Sequence, residues 1–140
     1  MSLYVVDASI IIKLFVPEVH SANATRFFSD GHELIVPEFM LAEVANVVWK
    51  KSALLRELTE ADAEAIVAAA QELPLGYYYT SGLLSDAMQI ALSTKRSVYD
   101  SLYIALAASQ ECQLMTDDRK LYESLRATPL AKFLTLIENY

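Results

Sequence analysis

The sequence predicts an α/β protein, a three-layer α/β/α sandwich with a central, mostly parallel sheet of four to five strands. Three observations predict it. Short runs rich in Val, Ile and Leu alternate with longer helical segments, the order that produces crossover connections between parallel strands. The strand runs are continuously apolar rather than alternating, as expected of strands covered on both faces. The chain has 140 residues, 54% apolar and 21% charged. That suits a single domain, residues 1–140, large enough to bury a real core.

Each element follows from a local signal. "LYVV" (3–6) is a short β-rich run, and "SIIIKLF" (9–15) reads as a helix stopped near Pro17. Residues 21–29 form a second helix, and "ELIVP" (33–37) a second strand. A long helix, 38–55, opens with Pro37 near its first turn, where proline is tolerated; it carries Phe39, Trp49 and Leu54, and most of that apolar surface is expected in the core, with a leftover stripe able to receive a helix of a partner protein or a second subunit. Thr59 and Asp62 have capping-box spacing for a helix over 60–73, which Pro74 follows. Two more helices span 82–95 and 98–111, "CQLMT" (112–116) is a strand, 118–127 a helix and "KFLTL" (132–136) the last strand. "LGYYYT" (75–80) suits an edge strand or a loop.

Composition narrows the function classes. The net charge is −7, so nonspecific attraction to nucleic acid is excluded as the main source of binding. A nucleic-acid partner would need local neutralisation of this field. Cys112 is the only cysteine, so no internal disulfide forms and a reducing cytoplasm fits. The N-terminus does not read as a signal peptide, and no apolar run approaches the ~20 residues that span a bilayer.

Acids recur where the pattern favours apolar residues. Asp7 separates two apolar runs. Glu43 has Phe39, Met40 and Val47 as its helical neighbours, with Asn46 one turn along. Asp100 falls in the first turn of an apolar helix, and Asp117 and Asp118 follow the strand 112–116. Each has a bland explanation taken alone. Asp7 and one of the 117–118 pair can cap helices, Asp100 suits a helix dipole, and Glu43 can sit at a surface margin. Together they carry more weight. Ligands of a parallel sheet bind beyond the carboxyl ends of its strands, and that is where Asp7 and Asp118 fall, with Glu43 and Asp100 on helices able to line the same pocket.

Two carboxylates ~5 Å apart repel by roughly 3 kcal/mol at an effective dielectric of ~20. A divalent cation removes that repulsion, and an all-oxygen ligand set suits Mg²⁺ or Mn²⁺. His20, His32 and Cys112 lack the spacing of a zinc site. Such an ion activates water and stabilises a leaving oxygen, the chemistry of phosphodiester hydrolysis.

Four stretches, "YVVDASIIIKLF", "VPEFMLAEVANVVWK", "SVYDSLYIALA" and "QLMTDDRKLYESL", resemble the PIN domain, a family of metal-dependent ribonucleases, and within it the VapC-type toxins of toxin–antitoxin pairs. The resemblance covers essentially the whole chain. It implies that Asp7, Glu43, Asp100 and Asp118 form the acidic, metal-binding quartet, with Asp118 as the acid of a T-x-D motif whose Thr is Thr116. Ser9, Thr116 and Asn46 would support it, and Asp117 falls at the variable middle position. It further implies Mg²⁺ or Mn²⁺, an RNA substrate, frequent homodimers and a small antitoxin that lays a peptide over the site.

Basic residues flank the acids: Lys13, Lys50, Lys51, Lys95, Arg96, Arg119 and Lys120. A few are expected to hold RNA phosphates, the rest to be solvated helix ends. Tyr77, Tyr78 and Tyr79 could stack on unpaired bases, although such a run more often divides between core and surface. Two rival readings remain: a non-catalytic regulatory or assembly module with the same fold and acids, and a receiver-like phosphoacceptor. The second normally has paired acids after the first strand, where this chain has only Asp7.

Overall fold

The computed structural model describes residues 2–140. Its first strand, β1 (Leu3–Val6), runs into Asp7, which caps helix α1 (Ala8–Phe15): the side chain accepts the Ser9 N–H while the backbone stays extended. Helix α2 (Ser21–Ser29) leads to strand β2 (Glu33–Pro37), helix α3 (Met40–Trp49) and a five-residue π turn over Lys50–Leu54. Helix α4 (Glu60–Gln71) starts at a reciprocal capping box between Thr59 and Asp62, as its sequence predicts. Then come β3 (Gly76–Tyr78), α5 (Leu84–Thr94), α6 (Val98–Ser109), β4 (Gln113–Thr116), α7 (Arg119–Leu125) and β5 (Leu134–Leu136).

The five strands form one parallel sheet in the order β3-β2-β1-β4-β5. The chain builds outward from β1 in one direction, then returns to its other side, so a topological switch point lies between β1 and β4. Helix α6 packs across β1, β2 and β4, with Ser101–Ala107 all buried. The sheet is covered on both faces: the consecutive strand residues Val5 and Val6, and Leu114 and Met115, point to opposite sides and none is more than 2% exposed. Since α6 leads directly into β4, it runs back against the strands and starts at their carboxyl edge. That edge therefore gathers the end of β1, the start of α3 after β2, the start of α6 and the end of β4.

The structure decides one open expectation and departs from others. The edge segment 75–80 is a true strand at Gly76–Tyr78, and a Cβ at Gly76 would meet the Ile35 Cγ2 at 3.1 Å. Helix α3 starts at Met40, not 38, because the ladder continues past Pro37: the Glu38 N–H donates to the Tyr78 carbonyl (2.8 Å) and the Phe39 N–H to the Thr80 hydroxyl (3.1 Å). Its end is a π turn, and Trp49 is 53% and Leu54 60% exposed, so these two belong to the leftover apolar stripe and not to the core; Phe39 is half-buried. The last strand begins at Leu134 because 129–133 form a 3₁₀ turn that the Thr128 side chain caps.

Candidate active site

At the carboxyl edge, Asp7, Glu43, Asp100 and Asp118 line one cavity of about 310 Å³, with Glu18, Ser9 and Tyr103. The four acids arrive from four segments: the β1–α1 junction, the first turn of α3, the first turn of α6 and the cap of α7. Local chemistry places each of them. Asp7 and Asp118 are helix caps, Asp118 accepting the Leu121 N–H at 2.9 Å. Asp100 follows Ser97, whose hydroxyl accepts the Asp100 N–H at 3.0 Å. The capping explanations hold and so does convergence: the same geometry that caps the helices aims the carboxylates at one cavity.

The acids differ in what neutralises them. Asp7 accepts from the Ser9 N–H (3.0 Å) and from the hydroxyls of Ser9 and Thr116. Those hydroxyls in turn accept backbone protons, Ser9 from the Asp117 N–H (3.4 Å) and Thr116 from the Asp118 N–H (3.0 Å). Burial outweighs these bonds and pushes the Asp7 carboxyl up to about 6. Glu43 accepts from the Tyr103 hydroxyl. Burial, then the negative charges of Asp7 and Asp100, raise its carboxyl above the usual range, against that hydrogen bond. Tyr103 is 4% exposed, and burial beside Glu43 and Asp7 pushes its phenol far up, so it remains a donor. Asp100 and Asp118 instead face Arg96, whose Nη2 lies 3.2 and 3.7 Å from their carboxylates.

The supporting residues divide. Ser9 lines the cavity, and Thr116, fully buried, bonds Asp7. Asn46 lies on an exposed part of α3 outside the cavity lining. Asp117 turns to Lys13, 2.9 Å away. Lys13 is 5% exposed and also meets Glu18 (3.5 Å) and the Val19 carbonyl (2.7 Å), so it holds the 117–118 turn rather than facing solvent. Lys51 pairs with Glu18 and Glu57, and Arg119 with Glu138. Lys50, Lys95 and Lys120 are exposed. Of the tyrosine run, Tyr79 is 77% exposed while Tyr78 packs against the core. Sequence reasoning missed Tyr103 and Glu18. Tyr103 stands three residues after Asp100 in the same helix, on the same face, and that spacing was the available signal.

Among the described residues, no three acidic, His or Cys side chains stand close enough to cage an ion as they are. The donor set still fits a hard divalent cation. It is all oxygen, it converges on one cavity, and the ion pairs of Arg96 go to Asp100 and Asp118 rather than to Asp7 or Glu43.

A family model, the PIN domain, matches residues 4–124. The chain is 38% identical over 126 residues to Ribonuclease VapC3 of Pyrobaculum aerophilum, an alignment covering 88% of this chain and 95% of that protein. Among solved structures, PAE2754 of Pyrobaculum aerophilum superposes with a TM-score of 0.73 at 22% identity, covering 99% of this chain and 85% of the other. A toxin–antitoxin complex from Klebsiella pneumoniae gives 0.66 at 16% identity, covering 98% of each chain. These two structural likenesses bear on the fold alone.

Proposed function

The chain belongs to the PIN domain family, and from that premise we propose that it is an endoribonuclease, the toxin of a toxin–antitoxin pair. It hydrolyses RNA phosphodiester bonds with Mg²⁺ or Mn²⁺ held by Asp7, Glu43, Asp100 and Asp118. One observation carries the reading: four carboxylates from separate segments line one cavity. The 38% identity to a ribonuclease supports the substrate class. When bound, the ion supplies positive charge for the leaving oxygen and acidifies a water.

The chain's own residues perform the rest. Ser9 and Thr116 fix the Asp7 carboxylate by donating to it from two sides. Tyr103 fixes Glu43 through its hydroxyl. Lys13 holds Asp117 out of the cavity, so Asp118 alone of that pair faces the substrate. Exposed Lys50, Lys95 and Lys120 are available to RNA phosphates. A small antitoxin that covers the acidic cavity, a homodimer and a cytoplasmic location belong to the same proposal. So does the treatment of residues 1–140 as one catalytic unit.

The test is cleavage of a mixed RNA substrate by purified protein. Activity is expected with Mg²⁺ or Mn²⁺, none in EDTA, and none for a folded Asp7→Asn variant. Undiminished cleavage in EDTA overturns the chemistry. Metal binding without cleavage of any RNA favours the non-catalytic module.

A further inference from the structure

Arg96 is the single residue between Lys95, which ends α5 in the left-handed region (φ 62°), and Ser97, which caps α6. Its guanidinium carries five donors, yet in this pose a single atom, Nη2, reaches both Asp100 (3.2 Å) and Asp118 (3.7 Å). The Nε is buried with no partner. A buried N–H without an acceptor makes a pose unfavourable unless something else compensates, and here the compensation is the negative charge of the two carboxylates. Nothing else in the side chain's hydrogen bonding locks it in place. The arginine is thus held by charge and is free to leave when that charge is met otherwise.

A divalent ion on these acids would be a second cation seeking the same oxygens. We propose that Arg96 is the resident counter-ion of the Asp100–Asp118 pair in the metal-free protein, and that divalent-ion binding displaces it from them. This rests on the reading of Asp100 and Asp118 as metal ligands. It also fits the finding that no cage is preformed among the described residues, where Asp100 and Asp118 engage their stand-in cation.

The experiment is titration of metal-free protein with Mn²⁺ alone, followed by calorimetry, with melting curves at zero and saturating Mn²⁺. Arg96→Gln is expected to bind Mn²⁺ roughly tenfold tighter, the effect of deleting one partly screened like charge. Arg96→Lys, which keeps the charge, is expected to bind near the wild-type affinity. Without metal, Arg96→Gln melts below wild type because two carboxylates lose their counter-ion. In saturating Mn²⁺ that gap closes, which a merely structural arginine would not produce. Unchanged or weaker binding by Arg96→Gln, or a gap that persists in saturating Mn²⁺, overturns the displacement while leaving the metal reading intact. A wild type that binds no Mn²⁺ overturns both.

Discussion

Asp7 sits under opposed influences: burial raises its carboxyl to about 6, while three donors favour the ionised form. A carboxyl raised in the folded state binds its proton more tightly there than in the unfolded chain. Stability from this group is therefore full below about pH 4 and declines as pH rises through about 6. At neutral pH, Asp7→Asn is expected to stabilise the metal-free protein by about 2 kcal/mol, discounted for water reaching the cavity, while abolishing cleavage. Denaturant melts at several pH values check it: the decline between pH 4 and 6 should vanish in the variant. Tyr103→Phe tests the partner acid. It keeps the ring and removes the donor to Glu43. It should cost about 1 kcal/mol of stability, weaken Mn²⁺ binding and slow cleavage, measured by the same melts and a Mn²⁺ titration. The acids were legible because a charge interrupting an apolar run is conspicuous. Tyr103 was not, because a tyrosine in an apolar helix looks like core, and by its 4% exposure it is core as well.

Elements meet through a buried lysine. Lys13 on α1 reaches Asp117 after β4 and Glu18 beyond its own helix, tying the first helix to the turn that carries Asp118. Removing one partner of a buried pair leaves the other uncompensated. Lys13→Met is expected to destabilise by about 2 kcal/mol, since Asp117 and Glu18 keep some access to water. The double variant Lys13→Met, Asp117→Asn should recover about half, and a double-mutant cycle on denaturation midpoints checks this. Lys13 looked like a solvated or phosphate-binding cation in the sequence, because helical spacing does not reveal that a distant turn closes over it. The elements themselves were legible wherever a cap or a proline marks their ends, as at Thr59 and Asp62. They were misjudged where tertiary contacts or local winding decide: the ladder that draws Glu38 and Phe39 out of α3, and the π turn over Lys50–Leu54 that ends it early.

For the whole molecule, a net charge of −7 and four acids lining one cavity lead to the expectation that a divalent ion stabilises the fold. At 100 times its dissociation constant an ion adds about 2.7 kcal/mol to stability, roughly 6–10 °C in a chain of this size. Differential scanning fluorimetry should show that rise with Mn²⁺, and little with NaCl of equal ionic strength. The parallel sheet and its acidic edge could be inferred from strand runs and the acids that follow them. The pairing that assigns Arg96 to two of those acids could not, since it depends on where α5 ends in space. Asp7 and Thr116 are 109 positions apart, yet they belong to one directed circuit. Each hydroxyl has a single proton, and both Ser9 and Thr116 give theirs to Asp7, so their oxygens can only receive from the amides of Asp117 and Asp118. Polarisation therefore runs one way, from the far turn toward the first carboxylate. A change of charge on Asp7 thus acts on the two peptide units that present Asp118, joining the two ends of the chain through hydrogen bonds alone.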